Sequence, residues 1–310
     1  MKSMNTIFII TGPTASGKTE LSLSVAEKHG CEIICMDSMQ IYRGMDIGTA
    51  KPTAAERLRV PHHMLDVADP REDYSVARYT EEAVCCAEDI LARGKKPLFV
   101  GGTGFYLRAL RHPMAMGGTP ANPTLRDALQ REAMQPGGDQ RLHDRLQQVD
   151  PVTAQRLHVH DVRRVIRALE VWSVTGIPFS RQKPPEETQR FVFRAIALSM
   201  DRHVLYERIN QRVDRMLREG LVHEVQTLLS AGVPEDAQSM KALGYKEILP
   251  FLRGECSLEE AAESIRQGSR RYAKRQLTWL RREEDLLWLD PTEPVCMQQI
   301  EDWFFGGDHT

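Results

Sequence analysis

Eight consecutive residues, Gly12, Pro13, Thr14, Ala15, Ser16, Gly17, Lys18 and Thr19, form a glycine-framed loop that ends in a lysine and a hydroxyl. They fit the spacing G-x-x-x-x-G-K-[ST], in which a wrapped backbone points its N–H groups at phosphate oxygens. Gly12 and Gly17 permit the turn and the close approach. Lys18 neutralises phosphate charge, and the Thr19 hydroxyl can ligate magnesium (Mg²⁺). The motif calls for a ligand with a diphosphate or longer. Nucleotide and ATP binding belong to the class of such loops, but these residues do not specify ATP. A ligand-free strand-to-helix turn is the alternative that the motif and its flanks argue against.

Two further segments place reactive groups directly after apolar runs. Asp37 opens DSMQIYRGMDIGTAKP. At the carboxyl end of a parallel strand it could serve as a general base or metal ligand, or simply as a turn or helix-capping carboxylate. Asp46 is equally available, and Lys51 either touches phosphate or is solvated. GGTGFY, 101–106, brings three glycines and the Thr103 hydroxyl to another strand end. It reads as a ligand-facing edge or as a tight turn.

A different chemistry stands near the C-terminus. SIRQGSRRYAKRQLTWLRR, 264–282, holds seven Arg and Lys and no acid. At 100° per residue, Arg270, Arg271, Lys274, Arg275, Arg281 and Arg282 share one broad face, opposite Ile265, Tyr272, Ala273, Leu277 and Leu280. Such a stripe suits a polyanion such as RNA, against the alternative of a solvated helix. Arg163, Arg164 and Arg167 form a second cluster. His62, His63, His158 and His160 lack acidic or cysteine partners at zinc spacing and read as structural or substrate-contacting.

These groups can act together only if the runs before them are adjacent strands. TIFIIT, 6–11, CEIICM, 31–36, and PLFV before Gly101 are β-rich and apolar, as buried parallel strands are. Between them lie helical patterns. One has Leu21, Val25 and Ala26 on a face and Gly30 as its cap; the other, 78–93, aligns Ala83, Ala87, Ile90 and Leu91. Strand, helix, strand, helix, strand predicts a parallel sheet covered by helices on both faces. Residues 112–140 are rich in Pro and Gly around helical patterns, and 141–175 look helical with a break at Asp150-Pro151. KPPEE, 183–187, reads as a loop, RFVFRAIALSM as a further strand, and four helical patterns follow to Arg282.

The chain has 310 residues, more than the ~100–150 of one domain, so an inserted or second domain is expected. Lys and Arg number 41 against 43 Asp and Glu, a net charge of −2, which excludes a histone-like polycation. The six cysteines form no CxxC pair. Cys31 and Cys35 would lie ~13 Å apart along a strand, too far to bridge. Reduced thiols point to the cytosol. The apolar run at the start, in MKSMNTIFIITGPT, is only five or six residues, too short for a signal peptide, and no run approaches ~18 apolar residues, so no membrane span is expected.

GPTASGKT, DSMQIYRGMDIGTAKP, PHHMLDVADPREDYSVARY, VGGTGFYLRAL, RVIRALEVW, YERINQRVDRMLREGLVHEV, MKALGYKEIL and RRYAKRQLTWLRR, in this order, closely resemble the tRNA dimethylallyltransferases, or isopentenyl-tRNA transferases. The resemblance runs from about residue 6 to 290, weakly over 112–150, with Ser269 where Thr is expected. It implies that the loop holds the diphosphate of dimethylallyl diphosphate, and that the prenyl group passes to N6 of the adenosine beside the anticodon. By match to the motifs, Asp37 would be the base, Thr103 would bond near the donor's bridging oxygen or the target base, and Arg212 would contact diphosphate. Without the resemblance, Arg212 is one of several arginines on an amphipathic helix. For the tRNA anticodon stem-loop the resemblance points to Asp37, Ser38, Met39, Gln40, Thr103 and Arg126. It points also to Arg163, Arg164 and Arg167, to the turn Lys241, Gly244 and Tyr245, and to Lys274, Arg275, Gln276, Trp279 and Arg281.

The expectation is therefore an α/β, P-loop NTPase-like parallel sheet flanked by helices, residues 1–114 and 191–310. A helical tRNA-binding subdomain is inserted at 115–190. The expected protein is a cytoplasmic, monomeric transferase with Mg²⁺ as cofactor. A P-loop kinase of a small metabolite or nucleoside, and an ATP-driven RNA-binding protein, are the competing readings.

Overall fold

A computed structural model describes residues 5–112, 122–182 and 191–306. Three apolar segments pair side by side because each lacks a polar face. These are β1 (Asn5–Thr11), β2 (Cys31–Cys35) and β4 (Lys96–Gly101), joined by β3 (His62–His63), β5 (Phe191–Leu198) and β6 (Leu286–Leu289). The sheet order is β3-β2-β4-β1-β5-β6, and every pairing is parallel. The fold is thus the expected P-loop NTPase-like sheet flanked by helices.

Alternation along the strands divides the core into two layers. Ile7, Ile9, Ile34 and Phe99 face Ala83, Ala87 and Ile90 of α3 (Val76–Ala92) and Leu107 of α4 (Gly104–Arg111). Phe8, Ile10, Ile33 and Leu98 face Leu23 and Ala26 of α1 (Lys18–His29). Leu23 takes the core place expected of Leu21, which stays half-buried. A short α2 (Ala54–Arg59), capped reciprocally by Thr53 and Glu56, lies between β2 and β3.

The chain divides into two compact units, Met1–Arg111 with Gln189–Thr310, and His112–Thr188. The second was expected at 115–190 and holds α5 (Pro123–Ala133), α6 (Gly138–Val149), α7 (Pro151–Arg156) and α8 (Val162–Thr175). Asp150 makes the expected break: it ends α6, and its carboxylate accepts N–H bonds from Thr153 at 3.0 Å and Ser180 at 2.8 Å. KPPEE, 183–187, and most of the Pro/Gly stretch at 112–123 lie outside the described residues.

After β5 come α9 (Arg202–Glu219), α10 (Leu221–Ser230), α11 (Tyr245–Leu252) and α12 (Leu258–Leu280). β6 and α13 (Cys296–Phe305) were not foreseen. α13 closes the layer over Phe8, with Phe304 and Phe305 ring centroids at 5.1 and 4.9 Å. All six cysteines are free. Among the described residues no helix is long and apolar enough to cross a membrane.

One contact sets how closely β2 and β4 can end. A Cβ on Gly101 would lie 2.0 Å from the Met36 carbonyl oxygen, backbone that cannot swing away. Gly101→Ala should therefore destabilise the protein by about 1–3 kcal/mol, read as a lower urea midpoint at unchanged slope. An unchanged midpoint would show that the strand ends have slack.

Candidate active site

The strand order brings three loops to one edge of the sheet. β1 runs into the glycine loop, β2 into Asp37 and Ser38, and β4 into Gly102 and Thr103. The loops are stitched together. Thr103 N–H donates to the Met36 carbonyl at 3.3 Å. The Thr103 hydroxyl accepts the Ser38 N–H at 3.0 Å, and the Thr11 hydroxyl donates to Gly101 O at 2.8 Å. One Asp37 oxygen, Oδ1, accepts the Met39 N–H at 2.9 Å, which fixes the carboxylate at the end of β2.

These loops and α9 line a cleft of ≈ 1230 Å³. Thr14 to Thr19, Asp37 to Gln40, Arg212, Lys241, Arg275 and Gln276 all border it, so the expected loop, acid and Arg212 meet there. Gly12 and Pro13 are buried beneath. A second wall is apolar, with Ile209, Val213, Met216, Ala242, Leu243 and Ile265.

The loop's cations are held away from water. Lys18 Nζ donates to the carbonyls of Gly12 at 3.0 Å and Pro13 at 2.6 Å. Burial and the neighbouring Arg212 push its pKa down to about 7, against an opposing pull from Asp37. Burial likewise lowers the pKa of Arg212, while Asp37 raises it. Arg212 Nη2 donates to Thr49 O at 3.3 Å. The Ser16 hydroxyl is buried without a hydrogen-bond partner among the described residues.

The segment 46–51 forms one rim, held from below. Glu224 on α10 accepts the N–H groups of Asp46, Ile47 and Gly48 at 2.9, 2.8 and 3.0 Å, and the Tyr245 hydroxyl at 2.5 Å. Gly48 lies against the Tyr245 ring, which a Cβ would meet at 2.4 Å. Lys51 is neither phosphate-binding nor solvated: its buried ammonium donates to Tyr42 O, Asp46 and Asp66 at 2.7, 2.6 and 2.6 Å. Asp46 is therefore a salt-bridge partner rather than a second base.

Several residues expected to touch tRNA also have partners within the chain. Tyr245 is fully buried, and the Gly244 N–H donates to Glu247. Gln40 accepts from Cys35 Sγ at 3.3 Å and donates to the carbonyls of Thr49 and Ala50. Gln276 is buried, bonded to Thr14 and Gly102. In the second unit, Arg126 and Arg167 converge on the fully buried Glu170, at 2.8 and 2.6 Å. Arg270 pairs with Glu263, two turns upstream, at 2.8 Å and bonds the Asn210 amide of α9 at 2.8 Å. Trp279 packs its ring on Gly104.

What remains exposed is a narrower basic set: Lys241, Arg271, Lys274, Arg275, Arg281 and Arg282 in the first unit. In the second, Arg163 is exposed, and Arg164 reaches Asp161 at 3.1 Å while mostly solvated. Ser38 and Met39 stay at the cleft.

Sequence reasoning missed Tyr272, which borders the cleft with its phenol near the Thr103 hydroxyl. Burial and then the Asp37 charge push its pKa up. The i, i+4 spacing of Tyr272 and Gln276 was the available signal. The histidines are structural: His63 bonds Glu32 at 2.8 Å, and His160 bonds Asp139 at 2.5 Å. No group of three potential metal ligands exists among the described residues.

Strand, GPTASGKT loop and helix on an all-parallel sheet, with an acid from the next loop, define a P-loop α/β protein. An IPP transferase family model matches residues 40–283, and an isopentenyl transferase model matches residues 5–66. The chain belongs to the IPP transferase family. A tRNA dimethylallyltransferase of Pelotomaculum thermopropionicum is 50% identical over 284 residues, covering 91% of this chain and 90% of its own. One of Desulforudis audaxviator is 50% identical over 292 residues, 93% of this chain and 92% of its own. The solved tRNA isopentenylpyrophosphate transferase of Bacillus halodurans superposes with TM-score 0.69 at 42% identity, over 97% of this chain and 94% of its own. A eukaryotic dimethylallyltransferase solved acting on tRNA gives TM-score 0.78 at 30% identity, over 97% of this chain and 76% of its own.

Lys18 carries a prediction. With a pKa of about 7 it is largely neutral in mild alkali, and a bound anion restores its charge. An organic diphosphate titrated at about pH 8.5, well above its own second pKa of ~6, should bind with uptake of close to one proton. Heats in buffers of different ionisation enthalpy measure this, and Lys18→Met should abolish it. Uptake that survives in Lys18→Met would refute the assignment.

Proposed function

We propose that this chain is a tRNA dimethylallyltransferase. It moves the dimethylallyl group from dimethylallyl diphosphate to N6 of the adenosine 3′-adjacent to the anticodon and releases diphosphate. One observation carries the reading: a diphosphate loop with Lys18 and Arg212 shares its cleft with a fixed carboxylate, Asp37, and an apolar wall.

The allylic C–O bond breaks as charge gathers on the diphosphate. Loop N–H groups, Lys18 and Arg212 stabilise that charge. Ile209, Val213, Met216 and Ile265 suit the five-carbon tail, at ~0.8 kcal/mol per buried CH₂. The N6 lone pair forms the new C–N bond, and Asp37 takes the N6 proton. Thr103 Oγ accepts from Ser38 N–H and donates to Ser38 Oγ at a long 3.4 Å; the donor's bridging oxygen would take over that hydrogen.

Mg²⁺ would arrive with substrate, with the Thr19 hydroxyl as its protein ligand. When bound, it would neutralise leaving-group charge. The target base must leave its stack to reach Asp37. The exposed cations of α12, with Lys241, suit the phosphates of the anticodon stem-loop; Arg163 and Arg164 offer further contacts. Free cysteines agree with a cytoplasmic enzyme, and we take the monomer as the working unit.

Incubation with dimethylallyl diphosphate or ATP, with and without tRNA, tests the reading through diphosphate release and prenylated adenosine. Transfer to a small molecule from ATP would replace it with a kinase. Asp37→Asn keeps the acceptor for Met39 N–H, so donor and tRNA should still bind while kcat falls ~10²–10⁴-fold; a loss below about threefold removes Asp37 as base.

The basic helix makes a separate prediction. A Lys274→Ala, Arg275→Ala double variant should bind tRNA more weakly, with a salt slope flatter by ~0.7–0.9 per lost contact. Donor affinity should hold. An unchanged slope at unchanged melting temperature would mean a solvated stripe.

A further inference from the structure

α12 turns its charged side chains outward, but Gln276 points inward and is buried. Its amide oxygen accepts the Thr14 N–H at 2.9 Å, and its amide nitrogen donates to the Gly102 carbonyl at 2.8 Å. Thr14 belongs to the diphosphate loop. Gly102 immediately precedes Thr103, whose hydroxyl holds Ser38 beside Asp37. A single side chain thus spans the leaving-group half and the proton-accepting half of the cleft. Gly102 is glycine for the same reason: a Cβ there would lie 2.3 Å from the Gln276 amide nitrogen and 2.9 Å from Gly12 O.

We propose that Gln276 is a positioning residue for the transfer, one that fixes the diphosphate loop against the edge carrying Thr103 and Asp37; this rests on the transferase reading above. Its neighbours demand an amide. Thr14 N–H needs an acceptor, and Gly102 O needs a donor. A glutamine supplies both from one planar group, a glutamate anion supplies two acceptors, and a methionine supplies neither. A displacement of about 1 Å between reacting groups can cost ~10²-fold in rate, so the loss should fall on kcat. tRNA binding, which uses the helix's other face, should be little changed.

The protonation of a substituted glutamate provides a readout that packing alone would not move. A protonated carboxyl has one donor and one acceptor, as the amide does. Burial and the facing Gly102 carbonyl raise its pKa. Lys18 of the loop, Asp37 beyond β2, and Tyr272 and Arg275 of α12 also border the cleft. They are unchanged in each variant and cancel in ratios to the wild type.

The experiment measures kcat and KM for tRNA and dimethylallyl diphosphate between about pH 5.5 and 8.5. It compares the full chain with Gln276→Met and Gln276→Glu. Gln276→Met should lose roughly ten- to a hundredfold in kcat at every pH, with KM for tRNA nearly unchanged. Gln276→Glu should be equally poor in alkali and recover toward the wild type as the pH falls. A Gln276→Met enzyme within about threefold of the wild type, or a flat Gln276→Glu ratio, would overturn the proposal. Should Gln276→Met not give a cooperative melt, the pH course of Gln276→Glu decides alone. A wild type that makes no prenylated product would overturn the transferase reading, and this inference with it.

Discussion

The site depends on how closely three backbone turns approach at the carboxyl edge of the sheet. Gly101 lies under the Met36 carbonyl, and Gly102 is wedged between the Gly12 carbonyl and the Gln276 amide. Side chains at these points would force the loops apart. With the glycines, the phosphate-binding loop, the Asp37 turn and the Thr103 turn become a single hydrogen-bonded edge. Parallel strands make this possible, since they deliver all three turns to the same end of the sheet.

The cleft's far rim is built on another rule. The segment 46–51 has no regular structure, so its backbone groups need partners from elsewhere. Glu224 supplies three acceptor contacts, Gln40 supplies two donors, and the Lys51 ammonium fills all three of its hydrogens. Removing one partner would leave buried polar groups uncompensated, at about 1–3 kcal/mol each. Arg212 also binds this rim through Thr49 O. The rim's order therefore reaches the cation that faces the diphosphate loop.

Reading the sequence found strands, loop and acid, but not the internal partners of many polar side chains. β1, β2, β4 and β5 announced themselves as apolar β-branched runs bounded by glycine or turns, and the chemistry-bearing residues directly followed them. β6 has only four residues, and its neighbour in the sheet is nearly a hundred positions away, so local pattern said little. Tyr245, Gln40, Gln276, Arg126 and Arg167 each have an internal partner that the sequence does not reveal. Residue type shows that a group can bond RNA, but is silent about Glu224, Thr14, Gly102 or Glu170 bonding it within the chain. Arg270 is similar, since Glu263 stands just outside the window read as acid-free. Tyr272 was misread in the opposite sense, because helical periodicity assigns its ring to the core and is silent about its hydroxyl.

The remaining cations explain why the cleft favours an anion over water. Burial and Arg212 depress the charge of Lys18, and burial and Arg215 that of Arg212, with Asp37 the opposing carboxylate for both. Burial makes their mutual repulsion stronger than at a surface. The folded chain thus holds two unfavourably placed positive charges before any ligand binds. A diphosphate relieves both at once, and relieves them further as the allylic bond lengthens and its charge grows. Donors fixed in advance need no reorganisation at that moment. In the proposed transfer the Asp37 carboxylate, fixed by the Met39 N–H, receives the proton from adenine N6 as the amine becomes cationic. The leaving group and the proton thus draw on one electrostatic arrangement, and the Gly102–Gln276–Thr14 bridge sets the distance between its two ends.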